Sequence, residues 1–229
     1  MLSLKIEDLA VSFPGLAAPV LAIESLTIAA GSRIALTGGS GSGKSTLINI
    51  IAGLERVRAG RVSWGEENIA ELSEGRRDSW RAANIGLVMQ DFHLFPGLSA
   101  LENVLLPARL SRVANATLIR RASALIETVG LKRAQQHVET MSRGEMQRVA
   151  IARALLRAPG VIIADEPTAS LDLETGEAVG DLLLTVAAQA GSTLIIATHD
   201  QRMIERLDRR LSLKGGRIVD DSAVKEIAA

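Results

Sequence analysis

The sequence contains no cysteine and no tyrosine, and aromatic residues make up only 2% of its 229 residues. Without cysteine the chain can form neither a disulfide framework nor a thiolate metal site, which suits a reducing compartment. No apolar run approaches the ~18–20 residues that a membrane span needs, and residues 1–10 do not resemble a secretory signal. The sequence therefore predicts a protein of the cytosolic type that meets a membrane only through a partner.

An excess of charge of one sign is also missing, because 26 basic residues balance 26 acidic ones. A neutral chain has no general attraction to nucleic acid or to an anionic membrane surface. The length and the 47% hydrophobic content suit one well-cored domain.

Short apolar stretches alternate with helical patterns, which predicts an α/β fold. The predicted strands are 3–9, 19–28, 33–38, 60–64, 84–90, 160–166 and 192–200, followed by a hairpin at 210–220 around Gly215 and Gly216. The predicted helices follow Gly43 and cover 99–106, 115–129, 142–157, 173–190 and 201–207. Because 91–158 contains no strand pattern, we expect a single domain over 1–229, with an α/β core at 1–90 and 159–229 and a helical subdomain at 91–158.

The strongest motif lies between a predicted strand and a predicted helix. It satisfies the pattern G-x-x-x-x-G-K-[ST], which in this context is a P-loop. Glycines let successive backbone N–H groups turn inward around a phosphate, and the helix N-terminus adds partial positive charge. The lysine suits the β and γ phosphates and the serine hydroxyl suits Mg²⁺. The residues predicted to bind ATP are Gly38, Gly39, Ser40, Gly41, Ser42, Gly43, Lys44, Ser45 and Thr46, with Ser45 also a ligand of Mg²⁺.

Two acidic residues, Asp165 and Glu166, end the buried-strand pattern VIIADEP at 161–167. The carboxyl ends of strands are where α/β sheets place ligands, although acids there can also merely end a strand. Beside a P-loop, we expect Asp165 to hold Mg²⁺ and Glu166 to polarise the water that attacks the γ-phosphate.

His199 ends another strand pattern, STLIIATHD. Its spacing leaves two interpretations open, an ordinary surface histidine or a donor to the γ-phosphate. Residues 140–150, TMSRGEMQRVA, begin a helix, since Ser142 and Glu145 have the spacing of a capping box.

Together these motifs resemble the ATP-binding subunits of ABC transporters. The stretches GGSGSGKST, NIGLVMQ, MSRGEMQRVAIARAL, VIIADEPTASLD and TLIIATHD occur in the order of that family over essentially the whole chain. The segment QDFHLFPGLSALENVLLP is most similar to the group that serves lipoprotein release, macrolide-type export and cell division. The resemblance implies a P-loop NTPase core with a mixed sheet, an antiparallel β subdomain and an inserted α-helical subdomain.

The resemblance also implies roles for further residues. It makes Phe13 the ring that stacks on adenine, where the family more often has tyrosine; an ordinary core or surface phenylalanine is the alternative. It assigns Gln90 to Mg²⁺ and the attacking water, and Asp172 to communication across a dimer. It brings Ser142 and Gly144 to the γ-phosphate of ATP held by a second subunit, and it implies a catalytic role for His199.

One motif departs from the family pattern Leu-Ser-Gly-Gly-Gln/Glu-Gln. Here Met141 replaces the leucine, Arg143 the first glycine and Met146 the final glutamine. A side chain at 143 is acceptable if it points away from the nucleotide; pointing toward it, the charge could aid binding or the bulk could obstruct closure.

The resemblance implies an ATPase that uses ATP and Mg²⁺, closes as a dimer and contacts membrane permease subunits near residues 90–106, at the cytoplasmic face of the inner membrane. Export or extraction of a lipophilic substrate or lipoprotein is the expected function. A regulatory switch of a membrane complex, without solute transport, is the alternative. A chromosome- or repair-type ATPase is disfavoured, because about 70 residues of short helices leave no room for long heptads and the net charge is neutral.

Overall fold

Strands and helices alternate along the chain in the computed structural model, which describes residues 2–15 and 18–223. The strands are β1 (Leu4–Val11), β2 (Leu21–Ile28), β3 (Arg33–Thr37), β4 (Arg61–Trp64), β5 (Glu67–Asn68), β6 (Ile85–Val88), β7 (Val161–Asp165), β8 (Thr193–Ala197), β9 (Arg209–Lys214) and β10 (Arg217–Ala223). The helices are α1 (Lys44–Ile51), α2 (Glu74–Asn84), α3 (Ala100–Leu110), α4 (Ala116–Thr128), α5 (Arg143–Leu155), α6 (Leu173–Ala190) and α7 (Gln201–Ile204). Of the domain predicted over 1–229, residues 1, 16–17 and 224–229 lie outside this description.

Six strands form a mixed sheet in the order β10-β9-β3-β8-β7-β6. All neighbours pair in parallel except β10, which pairs antiparallel with β9. Gly215 and Gly216 join those two strands with φ of 54° and 75°, the left-handed conformations that a tight two-residue hairpin requires. The predicted hairpin and the predicted mixed sheet are thus confirmed.

The other sheet is antiparallel, in the order β2-β1-β4-β5. Along β2, the residues Leu21, Ile23, Leu26 and Ile28 are buried and most of the others are not. This alternation is typical of a sheet with one face on the core and one in solvent. It confirms the antiparallel β subdomain that the family resemblance implied.

Strand β7 separates two hydrophobic cores. Its residues Val161 and Ile163 face a core built with α1 and the antiparallel sheet. The intervening Ile162 and Ala164 face a core built with α3, α4, α5 and α6. Both faces of β7 are therefore apolar, as expected for a central parallel strand. Truncating Ile163 to alanine would cost about 2–5 kcal/mol.

Helices α3, α4 and α5 fill the chain between β6 and β7. Reciprocal hydrogen bonds of a capping box begin α3 at Ser99 and Glu102, and another begins α5 at Ser142 and Glu145, which confirms the capping box predicted there. Within the described part of the chain, no helix combines the length and the apolar character that crossing a membrane requires.

The sequence did not predict α2 or β5. Helix α2 reads EGRRDSWRAAN and lacks a periodic apolar stripe; it is held instead by polar contacts, with Arg77 buried and its Nε donating to the carbonyl of Gly53. Strand β5 is only two residues long. Helix α3 also continues through Pro107 to Leu110, past the predicted end at 106.

Several elements end earlier than predicted, and the early ends of two strands place residues at the candidate site. Strand β6 stops at Val88 and β8 at Ala197, which leaves Gln90 and His199 on loops at the carboxyl edge of the sheet. Helix α7 covers only Gln201–Ile204 instead of 201–207.

Candidate active site

The P-loop joins β3 to α1. Gly38, Gly41 and Gly43 have φ of 151°, 71° and 103°, and such conformations favour glycine. A Cβ atom on Gly38 would come within 2.5 Å of the carbonyl oxygen of Leu213 and 2.6 Å of Ser42 Oγ. The loop can therefore close around a small group only with glycine at this position.

A cavity of about 330 Å³ opens above this loop. It brings together Gln90 and the acidic pair with most of the predicted P-loop residues, and Val20 also lines it. The lining consists of Val20, Gly39, Ser40, Gly41, Ser42, Gly43, Lys44, Ser45, Thr46, Gln90, Asp165 and Glu166. We call it the P-loop cavity. The contact of Val20 was not predicted, because nothing in the local sequence indicates that the residue before β2 folds over the loop.

The polar groups of the P-loop fit a phosphate. Lys44 Nζ donates to the carbonyls of Gly38 and Gly39, at 2.6 and 3.4 Å, so an ammonium group stands at the loop. The buried Ser42 Oγ has no hydrogen-bond partner among the described residues, and burying a polar group without a partner is costly. A phosphate at the N-terminus of α1 would accept from such groups.

The acidic pair lies at the carboxyl end of β7. Burial raises the pKa of Asp165, and the neighbouring Glu166 raises it further, while Lys44 opposes the shift. A cation nearby would stabilise the ionised form of a carboxylate in such surroundings. Although no group of three or more His, Asp or Glu side chains with metal-site geometry occurs in the described part of the chain, Mg²⁺ on phosphates needs only one or two protein carboxylates. Asp165 can supply such a carboxylate, and the side-chain oxygens of Ser45 and Gln90 are further possible ligands of Mg²⁺.

Glu166 is held by backbone and side-chain contacts. Its φ of 46° is unusual for a residue other than glycine, and such a conformation costs about 1–3 kcal/mol. The backbone N–H donates to the carbonyl of Ala197 at 2.8 Å. His199 Nδ1 lies 3.0 Å from Glu166 Oε1, and this hydrogen bond, with the charge of Glu166, raises the pKa of His199. The predicted histidine thus lies beside the predicted base.

The predicted residues of the α5 motif lie in a second cavity, of about 390 Å³. Ser142, Gly144, Glu145 and Thr175 line it together with the basic side chains of Lys132, Arg133 and Arg148. We call it the signature cleft. It shares no lining residue with the P-loop cavity. Within one chain, therefore, the two groups of predicted ATP contacts do not meet.

Gly144 packs against the start of α6. A Cβ atom there would lie 2.5 Å from Thr175 Cγ2, so this glycine permits close approach of two helices. Asp172 begins α6, and its side chain accepts from the backbone N–H of Thr175 at 3.0 Å, which lowers the pKa of Asp172. The packing of Thr175 on Gly144 was not predicted, since the two residues belong to separate elements.

Phe13 lies on the connection between β1 and β2, and 39% of its surface is exposed. It is not among the residues that line the P-loop cavity. An exposed ring on this connection is available for stacking, and its role in binding adenine stays a prediction.

Comparison with known proteins shows the family to which the chain belongs. The family described as ABC transporter matches residues 21–169. The lipoprotein-releasing system ATP-binding protein LolD of Shewanella sp. (strain MR-4) is 41% identical over 198 residues, which cover 86% of this chain and 86% of that protein. An uncharacterized ABC transporter ATP-binding protein of Mycobacterium tuberculosis, Rv0986, is 44% identical over 190 residues, 82% of this chain and 77% of that protein.

Solved structures give the same result. The dimeric post-hydrolysis state of the ATP-binding cassette MJ0796, bound to ADP and Pi, superimposes with a TM-score of 0.88 at 32% identity, covering 98% of this chain and 100% of that one. The relatives, the mixed sheet with its antiparallel neighbour, and the P-loop cavity lead to one conclusion: the chain belongs to the ABC transporter family, as an ATP-binding subunit that hydrolyses ATP.

Proposed function

We propose that two copies of this chain close around two ATP molecules and that hydrolysis reopens them. The observation that carries this proposal is the separation of the two half-sites within one chain. The P-loop cavity surrounds a phosphate from one side only. A second copy, related by a two-fold axis, brings the N-terminus of α5 at Ser142 to the other side.

In this proposal five residues of the P-loop cavity have defined tasks in catalysis. Lys44 turns from the carbonyls of Gly38 and Gly39 to the β and γ phosphates. Ser45, Gln90 and Asp165 would hold Mg²⁺, which would neutralise phosphate charge. Most of the catalytic effect then comes from positioning and charge stabilisation.

Glu166 positions the attacking water and accepts its proton. An oxygen–phosphorus bond forms from this water to the γ-phosphorus as the bond to the bridging oxygen of ADP breaks, which gives ADP and phosphate. His199 holds the carboxylate of Glu166 in place and donates to a γ-phosphate oxygen. The conformation of Glu166, fixed by the backbone of Ala197, keeps the base at the cavity edge.

Residues outside the P-loop cavity act across the dimer. Ser142 and the backbone at Gly144 donate to the γ-phosphate held by the other copy, and Asp172 faces that copy at the start of α6. Phe13 stacks on the adenine of its own ATP. Loss of the γ-phosphate removes the bridge between the copies, and the dimer reopens.

The membrane partner is proposed to dock in a groove between the edge strand β6 and the helices α2, α3 and α5. The groove holds about 310 Å³ and is lined by apolar residues, among them Leu54, Leu87 and Leu110, of which Leu110 is 72% exposed. No carboxylate is among its described lining residues, whereas Arg81, Arg153 and Arg157 are. Arg81 pairs with Asp78 and Arg153 binds the carbonyls of Phe92 and His93, so Arg157 is the arginine that would meet an acidic side chain. We infer that a cytoplasmic segment of a permease, apolar with an acidic side chain, fits it, adjoining the predicted contact region at 90–106.

The names of similar proteins support a proposal for the transported molecule. Lipoprotein-releasing ATP-binding proteins are 39–42% identical to this chain across most of its length. Extraction of a lipoprotein or another lipophilic substrate is therefore the proposed work, at the cytoplasmic face of the inner membrane. The substrate contacts belong to the permease.

Phosphate release by the purified chain tests the two-copy site. If each active site needs a second subunit, ATPase activity per subunit rises with protein concentration over the range in which dimers form. Constant specific activity over a thousandfold dilution, with the chain monomeric at the low end, would contradict the proposal.

The natural absence of cysteine permits a clean test of the groove. A photoreactive probe on Leu110→Cys is expected to cross-link to an integral membrane protein in native membranes. Val219→Cys, at an apolar position of similar exposure on β10, is the matched control. Equal labelling from both positions would remove the support for the groove.

A further inference from the structure

Arg143 occupies the position where the family pattern has a glycine, and its side chain is directed to its own subunit. The guanidinium carbon lies 5.3 Å from the centre of the Phe92 ring, within the ~6 Å at which a cation is attracted to an aromatic face. Among the described residues, no carboxylate lies at ion-pair distance from Arg143. Among the residues that the structure describes, the ring of Phe92 is thus the one group that stabilises the charge of this side chain.

Phe92 belongs to a constrained segment. Phe92 and His93 have φ of 59° and 45°, and each left-handed residue other than glycine costs about 1–3 kcal/mol. Backbone hydrogen bonds turn the segment tightly, with the N–H of Phe92 donating to Met89 at 3.1 Å and that of His93 to Asp91 at 2.6 Å. Gln90, which lines the P-loop cavity, lies inside this turn.

Helix α5 holds the segment at a second point. Arg153 Nη2 donates to the carbonyl of Phe92 and Nη1 to that of His93, both at 2.6 Å. Phe92 as a residue is buried, with 6% of its surface exposed. Helix α5 therefore holds the turn around Gln90 from both ends of the helix: Arg153, near its C-terminus, binds the backbone of Phe92 and His93, and Arg143, at its start, contacts the ring of Phe92.

We propose that Arg143 is a positioning residue that fixes the Gln90 turn to the start of α5. The two ends of this link serve different nucleotides: Gln90 faces the ATP of its own subunit, and Ser142, next to Arg143, faces that of the other copy. Movement of one half-site is thereby transmitted to the other inside a single subunit. The inference rests on the proposed two-copy site and adds a coupling residue to it.

The contact also explains how an arginine can stand where the family has glycine. A guanidinium held over Phe92 is drawn away from the helix N-terminus, so Ser142 and the backbone of Gly144 stay open to a phosphate. The other departures, Met141 and Met146, pack in the hydrophobic core of the helices.

ATP-driven dimerisation tests the link, measured in a Glu166→Gln background so that ATP persists. Arg143→Met keeps the aliphatic stem without the charge, and Phe92→Leu keeps apolar volume without the aromatic face. Each is expected to raise the ATP concentration for half-maximal dimerisation about 2- to 5-fold, the scale of an exposed cation–π contact. The double variant is expected to show no more than the larger single effect, because both changes remove the same contact.

Arg143→Lys supplies the matched control, since it keeps a cation over the ring and is expected to retain most of the dimerisation. Binding of a fluorescent ATP analogue to the monomer is expected to stay unchanged in all these variants. A purely structural loss would instead lower monomer binding and the melting temperature together.

The remaining outcomes decide against the inference. Additive effects of Arg143→Met and Phe92→Leu would mean that Arg143 acts elsewhere, for example on the nucleotide of the other copy. No effect of Arg143→Met would make the residue a bystander. If Phe92→Leu does not fold, equal behaviour of Arg143→Met and Arg143→Lys overturns the proposal by itself. Failure of the Glu166→Gln parent to dimerise would count against the two-copy site rather than against the link.

Discussion

The Nδ1 atom of His199 lies 3.0 Å from Oε1 of Glu166. The residues are 33 positions apart in sequence, at the ends of neighbouring parallel strands, and together they place an imidazole beside the proposed catalytic base. The side chain of His199 is 78% exposed while that of Glu166 is 15% exposed, so the histidine is free to reach a bound phosphate.

The pKa of His199 is raised by its hydrogen bond to Glu166 and by the charge of that carboxylate. A raised pKa in the folded chain means that the pair contributes stability below the ordinary histidine value of about 6.5, and that this contribution is lost as the pH rises through the raised pKa. NMR titration of the His199 ring is therefore expected to give a midpoint above the ordinary value. Glu166→Gln should move it to lower pH. An unchanged midpoint would show that the pair does not form in solution.

Replacing the base should separate binding from turnover. Glu166→Gln keeps the shape of the side chain and removes its ability to accept a proton, so ATP binding persists while turnover falls by about 10²- to 10⁴-fold, the usual contribution of a general base. Steady-state phosphate release and equilibrium binding of ATP measure the two quantities. Near-normal turnover would remove Glu166 from the catalytic role, and the exposed Glu67→Gln on β5 is the control.

Loss of the P-loop ammonium group should weaken nucleotide binding. Lys44→Ala removes a charge-assisted hydrogen bond, which contributes about 1.5–3 kcal/mol, so affinity for Mg·ATP should fall at least about tenfold by titration calorimetry. Lys5→Ala, on an exposed lysine that pairs with Glu7 on β1, is expected to bind ATP normally. Equal affinities of the two variants would contradict the assignment.

The close approach of α5 and α6 should depend on the absence of a Cβ atom at Gly144, which faces the methyl group of Thr175. Gly144→Ala would place its Cβ 2.5 Å from Thr175 Cγ2, and overpacking of this kind costs about 1–3 kcal/mol, visible as a lower melting temperature. Thr175→Ser removes that methyl group and should restore most of the stability in the double variant. If the double variant melts no higher than Gly144→Ala, the strain lies elsewhere.

The P-loop could be predicted from the sequence because its backbone conformation demands particular residues. At position 38 the carbonyl of Leu213 and the side chain of Ser42 leave no room for a Cβ atom. The fold therefore requires glycine there, and this requirement is visible in the local sequence. The acidic pair was predicted for a related reason, since it ends a continuous apolar strand where α/β sheets bind ligands. For His199 the same pattern left two interpretations open, and only the family resemblance implied a catalytic role.

Contacts between distant elements could not be predicted in this way. The packing of Thr175 on Gly144, the position of Val20 and the contact of Arg143 with Phe92 depend on how helices and loops from different parts of the chain come together. Helix α2 was missed for another reason: buried polar contacts such as that of Arg77 with Gly53 replace the apolar stripe that indicates a helix.

The mass of the chain in solution tests the central claim most directly. Glu166→Gln is predicted to be monomeric without nucleotide, to double its mass in Mg·ATP and to stay monomeric in Mg·ADP, as measured by analytical ultracentrifugation. Adding Lys44→Ala to the same chain should abolish the doubling. A mass that does not respond to Mg·ATP, in a protein that binds the nucleotide, would contradict the account of two half-sites closed by a second copy.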